Sequence, residues 1–124
     1  MRFACRWLLA AAALAAPALS YAALNVFATV PEWGALAQEL GGEKVKVYTA
    51  TNAQQDPHRV EARPSLIARA RTADLVVATG AELEVGWLPV ILQQSGSSHV
   101  QPGSPGYFEA ASAVPLLDKP ARLD

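Results

Sequence analysis

Past a short apolar leader, the chain alternates compact apolar runs with stretches in which apolar residues recur at helical spacing. Leu24-Asn25-Val26-Phe27-Ala28-Thr29 is mostly apolar over a length typical of a strand, as expected where a strand is buried on both faces. Pro31 then opens a helix, at a position where its missing N–H does no harm, and Trp33, Leu36, Ala37 and Leu40 repeat at helical spacing. Gly41-Gly42 supplies the stop. Val45-Lys46-Val47-Tyr48-Thr49 alternates more regularly and reads as a strand nearer an edge. A helix opened by Arg63-Pro64-Ser65 leads to a third strand, Leu75-Val76-Val77-Ala78-Thr79, which ends at Gly80. The last clear periodicity, with Trp87, Leu88, Ile91 and Leu92 on one face, predicts a helix over residues 85–94. Beyond Ser95 the pattern weakens. Residues 95–106 read as a Gly/Pro/Ser surface loop, Tyr107-Phe108-Glu109 as a turn of helix, and Val114-Pro115-Leu116-Leu117 as a short strand.

Strand and helix in strict alternation predict an α/β fold, a parallel sheet with helices on both faces. Ligands of such sheets gather at the carboxyl ends of the strands. Thr29-Val30, Thr79-Gly80 and the segment carrying His58 all lie on that side.

The leader changes the charge and the compartment. Arg2 and Arg6 precede the apolar run of residues 7–16, Pro17 breaks it, and Ser20-Tyr21-Ala22 offers a small–x–small cleavage pattern. Residues 1–22 therefore read as a secretory signal peptide, too short for a membrane span, rather than as a buried first helix. Residues 23–124 form the exported domain, one small core without internal repeats. The sole cysteine, Cys5, falls inside the signal and away from the cleavage site, so the exported chain has neither a disulfide nor a thiolate metal site and is not lipidated. The whole chain carries 10 basic and 11 acidic residues; without Arg2 and Arg6 the basic residues number 8, for a net charge of about −3. That balance argues against nucleic acid as a partner, for which a basic patch is the footprint.

Candidate chemistry centres on Gln55-Asp56-Pro57-His58, between the second strand and the Pro64 helix. Neutral imidazole is the commonest protein ligand for transition metals, with Zn–N near 2.0–2.1 Å, and Pro57 stiffens the backbone before it. One histidine is one ligand where three or four are needed, and the residues alone leave open a surface histidine making a single hydrogen bond. Glu61, three residues on, shares a face with His58 only if the loop closes into a helical turn; a partner role beside the site or at the helix start fits it better than direct ligation. Asp56 reads as a cap for loop N–H groups. His99 reads as a solvated loop histidine, and Glu84 as a carboxylate complementing the dipole at the start of the last helix, near Glu82. Trp33 and Trp87 read as core, and Arg59, Arg63, Arg69 and Arg71 as a solvated face with room for a membrane partner. No nucleophile elbow, phosphate loop or HExxH pattern is present, so an enzyme is the weaker class.

Asp56-Pro57-His58 followed at fixed spacing by Pro64-Ser65, Ala73-Asp74-Leu75-Val76-Val77, Gly80-Ala81-Glu82-Leu83-Glu84 and Trp87-Leu88 resembles the solute-binding receptors of bacterial zinc and manganese ABC importers, from about Leu24 onward. The resemblance implies a periplasmic, monomeric receptor of two lobes joined by a long helix, of which this chain is the first lobe, incomplete at its C-terminus. It implies zinc as cargo, with manganese as the alternative, and a membrane permease with its cytoplasmic ATPase as partners. It implies His58 as the first metal ligand, with two more histidines and a carboxylate falling beyond Asp124. The contrasting reading is a small exported α/β interaction or structural module in which the loop only starts a helix.

Overall fold

The structure, a computed structural model, describes residues 21–117; the leader up to Ser20, with Cys5, and the last seven residues lie outside them. Four strands form one sheet: β1 (Leu24–Ala28), β2 (Val45–Thr49), β3 (Leu75–Ala78) and β4 (Tyr107–Glu109). All pairings are parallel and the order is β2-β1-β3-β4, which places β2 at an edge as its alternation predicts. Between the strands run α1 (Pro31–Gly41), α2 (Pro64–Arg71) and α3 (Leu88–Ser95). The chain steps from β1 outward to β2, then returns past β1 to β3. The strand order therefore reverses between β1 and β3, the place where such sheets open a crevice at their carboxyl edge.

The pleat assigns each strand residue to a face. Phe27, Val76 and Ala78 point to the side covered by α2 and α3, where they join Leu66, Ile91 and Leu92 in the main core. Trp87, Phe27, Leu66, Ile91, Leu92, Val76 and Val100 are each less than 2% exposed, and burying side chains of this size stabilises the fold by roughly 1.5–3 kcal/mol apiece. The opposite face receives α1, which lies against β1 and β2. There Gly34 lets the helix backbone approach: a Cβ at that position would overlap the Thr49 hydroxyl. Helices thus cover both faces, but unequally. Leu36, Leu40 and Phe108 stay exposed around an open apolar groove of about 320 Å³ that Val26, Trp33 and Val77 also line.

Helix boundaries follow local chemistry. Proline sits in the first turn of all three helices, and Gly42 and Gly96 end α1 and α3 with positive φ of 53° and 68°. The helix expected over residues 85–94 begins later, at Leu88, because Pro89 belongs in a first turn and Trp87 (φ −145°, ψ −40°) stands outside helical geometry. Residues 80–87 instead make tight turns with three successive left-handed residues, Gly80 (φ 80°), Ala81 (φ 50°) and Glu82 (φ 72°).

Three expectations after Ser95 are corrected. Tyr107–Glu109 is strand β4, in register with Val76–Ala78; aromatic residues suit a pleated edge. Val114–Leu117 adds no strand, since a 3-10 turn (Ala110–Ala113) leads into exposed coil. The intervening segment is not wholly surface: Val100 is 0% exposed and plugs the core, while Gln101 and Ser104 tie the loop to carbonyls of Leu92, Ser97 and His99.

Candidate metal centre

The crevice between β1 and β3 is filled by Glu84. Its carboxylate, on a residue 4% exposed, accepts the Thr29 hydroxyl (2.6 Å) and the Thr79 N–H (2.7 Å) at one oxygen and the Gly80 N–H (3.0 Å) at the other. Thr79 in turn accepts the Trp33 indole N–H at 2.8 Å, and the Thr51 hydroxyl donates to the Thr29 carbonyl at 2.8 Å. One chain of hydrogen bonds therefore laces the carboxyl ends of β1, β2 and β3. Buried carboxylates persist only when they are bonded in this way. The expected complement to a helix dipole is not what this side chain does: it faces the strands, and only its main-chain carbonyl serves the helix, accepting from Trp87 and Leu88 N–H. The left-handed backbone of residues 80–82 folds the chain back so that Glu84 can reach Thr79 and Gly80. Glu109 also crowds this corner, since a Cβ on Gly80 would overlap its carboxyl group.

His58 lies in the connection that follows β2, and its side chain is 64% exposed. Asp56 shapes that loop. Its Oδ1 accepts the His58 backbone N–H at 3.0 Å and sits 3.0 Å from the His58 ring Nδ1, while its main-chain carbonyl accepts the Arg59 N–H. The hydrogen bond from the His58 backbone, followed by that from its ring, holds the Asp56 carboxyl below the usual carboxylate range. The cap role read from the sequence is thus present, with the imidazole added to it. In the neutral tautomer that donates Nδ1–H to the carboxylate, the Nε2 lone pair faces away from Asp56, the arrangement that second partners impose on metal-binding histidines.

The loop hangs on the body of the lobe at three places. The Trp87 indole N–H donates to the Pro57 carbonyl at 2.7 Å. The His58 carbonyl lies 3.3 Å from where a Cβ of Gly86 would stand. Val60 and Ala62 are partly buried against the core. Trp87, 1% exposed, is core as expected, but its polar edge reaches the candidate ligand loop, a link that the spacing alone did not reveal.

The other candidates separate. Glu61 is exposed, and its carbonyl accepts the Arg63 N–H at 2.8 Å; Arg63, at the N-cap position before Pro64, gives α2 no side-chain cap. His99 is exposed in its loop. Arg69 stacks over Tyr48 (4.9 Å to the ring centroid) and Arg71 donates to the Ser95 carbonyl, while Arg59 and Arg63 stay at the surface. Among the described residues no three His, Cys, Asp or Glu side chains converge to hold an ion.

Comparison with known proteins places this lobe. The family model of the periplasmic zinc-uptake complex component A, ZnuA, matches residues 26–120, and the chain belongs to that family. A manganese ABC transporter substrate-binding lipoprotein, scaA of Streptococcus gordonii, is 32% identical over 63 residues, covering 51% of this chain and 20% of that protein. A zinc-bound ZnuA deletion mutant superposes with a TM-score of 0.66 at 22% identity over 82% of this chain and 36% of its own. A second ZnuA crystal structure gives 0.54 at 26% identity, over 60% and 29%. The Zn(II)-bound ZnuA-like domain of Streptococcus pneumoniae AdcA gives 0.61 at 22% identity, over 77% and 34%. The chain thus spans about a third or less of the proteins it resembles.

Proposed function

We propose that the protein captures a divalent transition metal in the periplasm, zinc with manganese as the alternative, and passes it to an ABC permease driven by a cytoplasmic ATPase. The observation that carries this reading is the His58 imidazole, exposed and oriented by Asp56 through Nδ1, on a loop at the carboxyl side of a ZnuA-type sheet. His58 supplies the first ligand through Nε2. The other donors, two imidazoles and a carboxylate in the family pattern, come from parts of the receptor outside this sequence. Together they replace the hydration shell of the ion. Ligands must be deprotonated to bind, so affinity falls as pH drops. The exported domain begins after Ala22, and binding rather than catalysis is its work.

The test is His58→Ala in the full-length receptor, with bound metal counted after equilibration with zinc and with manganese. Loss of the bound ion without loss of fold supports the receptor. Unchanged stoichiometry favours the interaction module, in which the loop only leads into α2.

A further inference from the structure

We infer that Trp87 is a positioning residue for His58: its indole and the adjacent Gly86 gap dock the single peptide unit on which the imidazole is carried. The inference rests on the reading of His58 as a metal ligand, but its geometry is independent of any ion. The peptide between Pro57 and His58 is held at both ends. Its carbonyl accepts the Trp87 indole N–H at 2.7 Å, and its own N–H donates to Asp56 Oδ1 at 3.0 Å. The next carbonyl, that of His58, lies 3.3 Å from the Cβ position of Gly86, close enough that a side chain there makes this carbonyl give by a few tenths of an ångström.

The opposite end of this clamp is rigid. Trp87 is 1% exposed, its backbone N–H donates to the Glu84 carbonyl at 3.2 Å, and the Glu84 carboxylate is bonded to Thr29, Thr79 and Gly80 at the sheet edge. A continuous path of hydrogen bonds therefore runs from the strands through Glu84 and Trp87 to the backbone of His58. A solvent-facing ligand on a 14-residue connection between β2 and α2 would otherwise have to be ordered at the moment of binding, at a cost in affinity. Docking the loop beforehand removes that cost, and it does so through backbone, leaving the imidazole clear for the ion.

The experiment uses the full-length receptor with zinc ion as the probe. Trp87→Phe keeps a ring in the core and deletes the donor; Gly86→Ala leaves the core intact and pushes on the His58 carbonyl. Amide exchange is followed in peptides covering the His58 loop and, separately, β1 and β3, alongside zinc affinity by chelator competition and the unfolding midpoint. Losing one hydrogen bond of ordinary strength corresponds to a change of roughly three- to ten-fold. The expected result is loop exchange accelerated by that factor while the strands hold, with zinc affinity weakened in proportion, and Gly86→Ala doing both at a nearly constant unfolding midpoint. Unchanged loop exchange and affinity in Gly86→Ala would overturn the inference even if Trp87→Phe destabilises the whole lobe. Faster exchange with unaltered affinity, where His58→Ala abolishes binding, would also overturn it, since the loop would then be docked without positioning the ligand. If His58→Ala leaves zinc binding intact, the metal reading itself falls, and loop exchange still reports on the docking contact.

Discussion

Two carboxylate-centred corners of this lobe solve opposite problems. Around Glu84 the charge is buried, met by three donors, and used to lock the ends of β1 and β3 together. Around Asp56 the charge is exposed and used to aim a single imidazole outward. The first is a fixed anchor whose worth is stability; the second is a light scaffold whose worth is direction. Trp87 joins them, with its body in the core and its N–H on the loop. Under the proposed function both properties are needed, a rigid edge and a ligand free of other packing, and Trp87 lets the first support the second.

That contrast can be broken or sharpened by substitution. Glu84→Gln should have the largest effect. An amide nitrogen would face N–H donors in a buried corner, and the loss should be on the order of 3 kcal/mol, read as a large fall in the unfolding midpoint. Gly80→Ala comes next, at about 2 kcal/mol, because the position combines φ 80° with overlap of the new Cβ and the Glu109 carboxyl group. Asp56→Ala should leave the unfolding midpoint nearly unchanged, being an exposed loop cap, yet weaken zinc binding by roughly ten-fold or more once the ring loses its guide. If Asp56→Ala destabilised the lobe as much as Glu84→Gln, the division of labour would be wrong.

The smallest effect is alkaline. Burial, then the nearby carboxylates of Glu109 and Glu84, raise the Tyr107 phenol above its ordinary value of 10.0 in the folded chain. A raised folded value means that the stability it contributes is complete below about pH 10 and is lost as pH rises through the folded value. Tyr107→Phe should therefore flatten the decline in unfolding midpoint above pH 10, and leave the neutral range unaltered.

Much of this arrangement was legible in the residues, for identifiable reasons. Prolines at helix starts and glycines at helix ends carry strong local preferences, so Pro31, Gly41-Gly42 and Pro64 marked their elements well. The alternation of Val45–Thr49 revealed an edge strand. What escaped was set by tertiary contact. Tyr107–Glu109 is a strand only because β3 offers it an open edge, and Val100 is core only because its loop folds back. Glu84 read as a partner for the dipole of the last helix, since nothing in a linear reading shows the left-handed turn at residues 80–82 that carries it inward. Of the His58 loop, the Asp56 cap was plain in the residues, whereas the Trp87 tether, 30 residues away, needed the fold.

The most direct test of the account is the ring of His58 itself, followed by nitrogen-15 NMR of the full-length receptor as zinc is added. The account predicts that the Nε2 resonance moves on binding while Nδ1 stays protonated and bonded to Asp56. Movement at Nδ1 instead, or at neither nitrogen while zinc binds stoichiometrically, would contradict it.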